Sequence, residues 1–443
     1  LAAYLAEESP QAALRLQADE PTALAALADR TLNPRDGAAD NAARPAAGRE
    51  AMNDIAAIRM DGWAEIALKA AAARLSAAAD EHGAAAAIAG PPSSEIQAQA
   101  RDWALAALRE HPLNARALRV LGQIAALQGE TERAARLMRA AADRSLGESF
   151  AVYWLMQASF EAKDPQQAVA YADVFLRKRP QFLDHAMPML AQLAESGDER
   201  SVALLESALV NNPPWRQRFF EGLPKHTRDA RTALNRLLSL KETEAPPTLP
   251  ELNAYLSALI KNDRYELAYY TWLQFLPASE LSKIGYLNNA SFEAPPTGLP
   301  FDWVMRQGRG ATIDIAAVPG EAGSLGLLIE LGPGRAEFHG VTQMLLLSPG
   351  EYRLKGKLKG ETHGPRGLQW RMTCAATGKE IGAGPMFLGA EPRWSRFDFD
   401  FTVPDADCRA QELRLQLAAR SASEQLVHGS VWYDDLSIAR VEE

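Results

Sequence analysis

A chain of 443 residues in which hydrophobic residues make up 47% and charged residues 23% has room for two or three globular domains with ample core. Its 47 basic against 56 acidic side chains leave a net charge of −9, which argues against a nucleic-acid surface as its main business. No run reaches the roughly 18 apolar residues that would suggest a membrane span, and the tract Ala84 to Ala89 is short and mostly alanine.

The helical half comes first. Residues 1–90 are alanine-rich and helical by propensity, with Leu24, Leu27 and Ala28 on one face of a stretch that Asn33-Pro34 stops. A loose loop over 34–48 and a second helical stretch over about 50–79 are expected to come next. Pro91-Pro92 then breaks the chain, and Ser94 with Gln97 offers a capping box for the next helix. The chain begins at Leu1 rather than methionine, which suits a trimmed chain that has lost a signal peptide or anchor.

A period of 34 appears beyond this point. Ala100, Ala134 and Ala168 are 34 apart, as are Ala107, Ala141 and Phe175, and Pro112, Pro180 and Pro214 differ by 68 and 34. In a helix–turn–helix unit of that length, the small residue lets two helices approach and the proline sits where no amide is needed. Leu118, Leu121, Gly122 and Ala125, then Val152, Leu155 and Ser159, fill the first-helix positions of successive units. The pattern resembles the tetratricopeptide repeat over about 98–216, departing from it at Leu146, where the proline is missing, and at Val202, which replaces the small residue. Thr248 with Glu251 makes a further capping box, and Leu249 to Leu276 reads as another helical pair, with Trp272 and Phe275 packing against the sheet domain. The resemblance implies a solenoid over 91–285 with a groove for a protein partner; the same residues also suit a plain spacer.

At Tyr286 the hydrophobic period changes from 3.6 to 2. Tyr352, Leu354 and Leu358 alternate with Arg353, Lys355, Lys357 and Lys359; Leu368, Trp370, Met372 and Cys374 alternate with Gln369, Arg371 and Thr373. Phe397, Phe399 and Phe401 alternate with Asp398 and Asp400, and Leu413, Leu415 and Leu417 with Arg414 and Gln416. Half-buried strands divided by Gly/Pro turns predict an antiparallel β-sandwich or jelly roll over 286–443, so the fold class is α then β. Cys374 and Cys408 lie in neighbouring strand patterns and can form a disulfide in an oxidising compartment, while two buried free thiols in a cytosolic protein are equally open.

Three motifs in order carry a second resemblance. The opening Asn289-Ala-Ser-Phe-Glu293 with Trp303, the hairpin from Gln343 to Pro349-Gly-Glu-Tyr352, and the closing Trp432-Tyr-Asp-Asp-Leu436 are similar to the carbohydrate-binding modules of families 4 and 9. The resemblance implies a structural calcium shared by Glu293 and Asp434 or Asp435, hard oxygen ligands being suited to that ion. It also implies a saccharide surface. Gln369, Arg371, Arg414 and Gln416 point away from the core and offer planar multi-donor groups, Lys355 and Lys357 add positive charge, a surface suited to an acidic or hydroxylated polymer, and Trp303 and Trp394 are the aromatic faces expected to be exposed. Trp370 is expected in the core.

No nucleophile elbow, phosphate loop, zinc-protease motif or Cys-x-x-Cys occurs, and the histidines lack ligand spacing. Asp398 and Asp400 read as a charged outer strand face rather than a hydrolytic pair, which needs two carboxyls across a cleft. The expectation is a non-catalytic bacterial envelope protein, periplasmic or envelope-associated (a cytoplasmic place stays open), whose repeats bind a protein and whose sandwich binds a polysaccharide during export or surface assembly. The alternative is a protein-interaction scaffold whose sandwich binds no sugar.

Overall fold

The computed structural model describes residues 2–33 and 92–441. The loop expected at 34–48, the helical stretch at 50–79 and the Ala84–Ala89 tract lie outside the described residues. The chain gathers into two compact units, one reaching Met189 and adding Asp198–Ala208, the other formed by Leu190–Gly197 with residues from Leu209 onward.

The first unit is built from helix pairs. Helix Pro21–Leu32 packs on Ser94–Glu110, with Leu24, Ala25, Ala28 and Leu32 in one buried cluster with Ala100, Ala104 and Ala107. Ala115–Leu127 pairs with Thr131–Arg144, and Ser149–Glu161 with Pro165–Lys178. The 34-residue period has its physical meaning at the small positions: Ala100, Ala134 and Ala168 are completely buried. A methyl group on Gly122 would stand only 3.1 Å from Met138, so the helices of that pair meet as closely as their side chains allow. Helix Ser94–Glu110 is capped by Ser93 rather than Ser94, the Ser93 Oγ accepting from the Ile96 amide at 3.3 Å, while Gln97 turns back to the Pro92 carbonyl.

One buried polar cluster ties the first helices of three successive pairs together. Arg119, on Ala115–Leu127, reaches Asp29 at 2.7 Å and Glu148, the residue before Ser149–Glu161, at 2.8 Å, and donates to Gln123. Burial pushes the Asp29 carboxyl up, but the charge and hydrogen bonds of Arg119, with help from Asn33, hold it below the ordinary carboxylate value.

In the second unit, helices Arg216–His226, Arg231–Lys241, Leu249–Lys261 and Tyr265–Phe275 precede the strands. The capping box of Thr248 and Glu251 is formed, and the other oxygen of Glu251 holds the buried Arg216 guanidinium at 2.8 Å. Trp272 packs on Phe301 with ring centroids 5.8 Å apart, as its position implied, whereas Phe275 lies under the Lys241 ammonium at 5.7 Å.

The strands are β1 (Val304–Met305), β2 (Ala311–Ala317), β3 (Leu325–Leu331), β4 (Val341–Leu345), β5 (Gly350–His363), β6 (Leu368–Cys374), β7 (Glu380–Ala383), β8 (Gly389–Val403), β9 (Gln411–Leu417) and β10 (His428–Arg440). They form two antiparallel sheets, ordered β1-β4-β9-β6-β7 and β2-β3-β10-β5-β8, with the expected inward residues between them as one core. Long β5 needs a glycine where it bends: a Cβ on Gly360, at φ +132°, would stand 2.1 Å from the Ser430 carbonyl oxygen. The opening segment is stitched to this sandwich by the buried Gln343, whose amide exchanges two hydrogen bonds with the Asn288 backbone at 2.9 and 3.0 Å. Cys374 and Cys408 are joined as a disulfide.

A polar face on strands β6 and β9

Strands β6 and β9 are neighbours, and their register sets Gln369 opposite Gln416 and Arg371 opposite Arg414. Their alternate residues, Leu368, Trp370, Met372, Leu413 and Leu415, are buried, so the four polar side chains leave the sheet on its outer side together. The grouping that alternation alone made conditional on strand order is therefore present.

Gln369, Arg371 and Arg414 are held by hydrogen bonds and ion pairs. Arg371 donates from Nε and Nη2 to the Gln369 Oε1 at 3.1 and 2.9 Å, and from Nη1 to Glu380 at 2.7 Å. Gln369 in turn donates to the Gly384 carbonyl at 2.8 Å. Arg414 grips Glu412 with Nε and Nη2, at 2.8 and 2.7 Å. Both arginines keep about a third of their side chains in solvent, 33% and 32%. The result is a half-buried array of flat donors and acceptors in which Gln369, Arg371 and Arg414 are already restrained, a state that lowers the entropic cost of binding. Each guanidinium has its own carboxylate, so the face is close to neutral in charge.

Glu380 and Glu412 were not among the sequence candidates. Glu412 shares the alternation phase of Arg414 and Gln416 and was readable; Glu380 could be found only with the β6–β7 pairing known.

The aromatic candidates are corrected. Trp303 is not exposed: it is completely buried, donates from Nε1 to the Asn289 carbonyl at 2.9 Å and packs on Phe292 and Trp370. The cause is the turn before it. The buried Asp302 carboxylate collects the Trp303 and Thr297 amides, the Thr297 hydroxyl and the Asn288 side chain, which closes the turn and aims the indole inward.

Trp394 is half-buried but belongs to β8, in the opposite sheet from Gln369 and Arg371. Lys357 and Lys359 each place an ammonium 4.6 Å from its ring centroid, and its indole N–H donates to Glu321. It is thus the centre of a separate cluster on the outer side of the second sheet, away from the amide and guanidinium row. Lys355 and Lys357 stand on that sheet too, where Arg353 and Asp400 form a cross-strand pair at 2.6 and 2.9 Å. Asp398 and Asp400 are, as read, a charged outer strand face.

The expected calcium ligands each have partners within the protein. Glu293 accepts from the Leu325 amide at 3.3 Å and lies 3.5 Å from the Ser324 hydroxyl, while Asp434 and Asp435 both hold the Lys357 ammonium, at 3.1 and 2.9 Å. Among the described residues no three carboxylate, histidine or cysteine side chains are grouped to hold a metal ion.

No protein-family model and no curated protein matches the chain. Among solved structures, the β region is similar to a family 4 carbohydrate-binding module at 17% identity, over 35% of this chain and 99% of that chain, with a TM-score of 0.27. It is likewise similar to the N-terminal cellulose-binding domain of Cellulomonas fimi β-1,4-glucanase C, at 18% identity over 36% of this chain and 99% of that chain, TM-score 0.21. A tetratricopeptide repeat protein from Parabacteroides merdae is similar over 62% of this chain and 88% of that chain, at 13% identity and TM-score 0.24.

Proposed function

We propose that this is a non-catalytic envelope protein whose sandwich binds a neutral, hydroxyl-bearing polysaccharide across β6 and β9, and whose helix pairs hold a protein partner during polysaccharide export or surface assembly. The observation that carries the reading is the β6–β9 register, which sets two glutamines and two arginines side by side on one outer face. Vicinal hydroxyls need such planar donors and acceptors at fixed spacing. Because Glu380 and Glu412 neutralise the arginines, a neutral chain fits better than an acidic one. An oxidising compartment agrees with the Cys374–Cys408 disulfide. A partner surface on the repeats agrees with Trp154 and Phe160, left half-exposed on helix Ser149–Glu161.

The test is retention of the full chain in gels containing neutral or acidic polysaccharides. A neutral polymer should retard the protein, with little change between low salt and roughly 0.5 M salt, since no net charge is neutralised on binding. Retention by acidic polymers alone, abolished by salt, would overturn the choice of ligand. No retention by any polymer would favour the scaffold reading, in which the self-satisfied guanidinium groups dock a protein instead.

A further inference from the structure

The place where the sequence suggested a bound ion holds a lysine instead. Lys357 on β5 is directly opposite Asp434 on β10, just where the β5–β10 register shifts between Asp434 and Ser437. Asp435, at φ +50°, is the residue that the irregularity throws out of the pleat, and this aims its carboxylate back toward the same ammonium. The Lys357 ammonium meets Asp434 at 3.1 Å, Asp435 at 2.9 Å and the Trp394 ring at 4.6 Å. Two carboxylates and a π-face thus surround a cation with three donor hydrogens. Asp434 is almost wholly buried, and its other oxygen accepts from the Asp435 amide at 2.6 Å. One residue on, the Leu436 amide donates to the Ala290 carbonyl at 3.0 Å, so the same irregular turn anchors the opening segment of the sandwich.

We infer that Lys357 is a built-in counter-cation, supplying in covalent form the positive charge that a bound calcium would supply at the junction of the opening segment and the last strand. Two features agree. Glu293 is engaged by the Leu325 amide and the Ser324 hydroxyl at the start of β3, at 3.3 and 3.5 Å. Lys359, the next outward residue of β5, repeats the arrangement with Glu321, at 3.5 Å, on the Trp394 ring. The sandwich should therefore owe nothing to calcium.

The experiment compares melting of the full chain by scanning calorimetry in EDTA and in millimolar calcium, for the parent and for Lys357→Met. The parent should melt within about 1 °C in the two conditions, and the variant should melt roughly 5 °C or more lower, because a buried carboxylate has lost its cation. A parent stabilised by calcium and destabilised by EDTA would overturn the inference. So would a Lys357→Met protein that melts like the parent. If the variant does not fold, the parent's response to calcium decides alone.

Discussion

Replacing Arg119 by methionine keeps the aliphatic stem of the side chain and removes its charge, which isolates what the guanidinium does in the repeat unit. The side chain is 7% exposed, and it faces Asp29 and Glu148, which are 31% and 18% exposed. Breaking a buried ion pair by deleting one partner costs about 3–5 kcal/mol, and the partial exposure of both carboxylates favours the lower figure. With about 1.4 kcal/mol per factor of ten, about 3 kcal/mol corresponds to amide exchange roughly 100-fold faster where exchange reports local opening. The affected amides should be those of Pro21–Leu32 and Ala115–Leu127, measured by hydrogen exchange with mass spectrometry on the full chain, with the strands of the sandwich unchanged. The pH dependence has a defined sign. Asp29 titrates below its ordinary value when folded, so its contribution is present above the unfolded carboxylate pKa and is lost as pH falls through the lowered one. Arg119→Met should abolish that acid-side loss. Protection changed by less than about threefold, or an acid response equal to the parent's, would refute the assignment of Arg119 as the pin between helix pairs.

Reduction of the Cys374–Cys408 bridge, which spans 34 residues, should destabilise the sandwich by roughly 2–4 kcal/mol, seen as a lower urea midpoint in the presence of reductant and as free thiols by mass spectrometry. Trp303→Phe should cost about 1–2 kcal/mol in urea unfolding, because the Asn289 carbonyl loses its indole donor, and should leave polysaccharide retention unchanged. A Trp303→Phe protein of parental stability but weakened retention would restore Trp303 to the ligand surface.

The division into helices and strands was legible because periodicity is a local property: apolar residues at 3.6 before Tyr286 and at 2 after it decide which faces can be buried. The repeat was legible from Ala100, Ala134 and Ala168 for the same reason. The pairing of Pro21–Leu32 with Ser94–Glu110 was not, because these helices are separated by a long stretch that breaks the spacing. On the sandwich, alternation correctly sent Gln369, Arg371, Arg414 and Gln416 outward. It could not say which outward sets share a sheet, and so it grouped Lys355, Lys357 and Trp394 with them although they stand on the other sheet. Trp303 was misplaced for a different reason. It precedes a strand, so its direction is set by the Asp302 turn, and the acceptor capacity of one aspartate does not show as a pattern in the sequence.

The most direct test of the proposed ligand face is a set of single alanine substitutions at Gln369, Arg371, Arg414 and Gln416 in the full chain, with Trp394→Ala on the opposite sheet as control. Retention is to be measured in the polysaccharide gel that retards the parent. The account predicts that each of the four weakens retention several-fold, that Trp394→Ala does not, and that the variants of the glutamines melt within about 2 °C of the parent, as expected for surface substitutions. Four variants that bind like the parent, or loss of binding confined to Trp394→Ala, would contradict it.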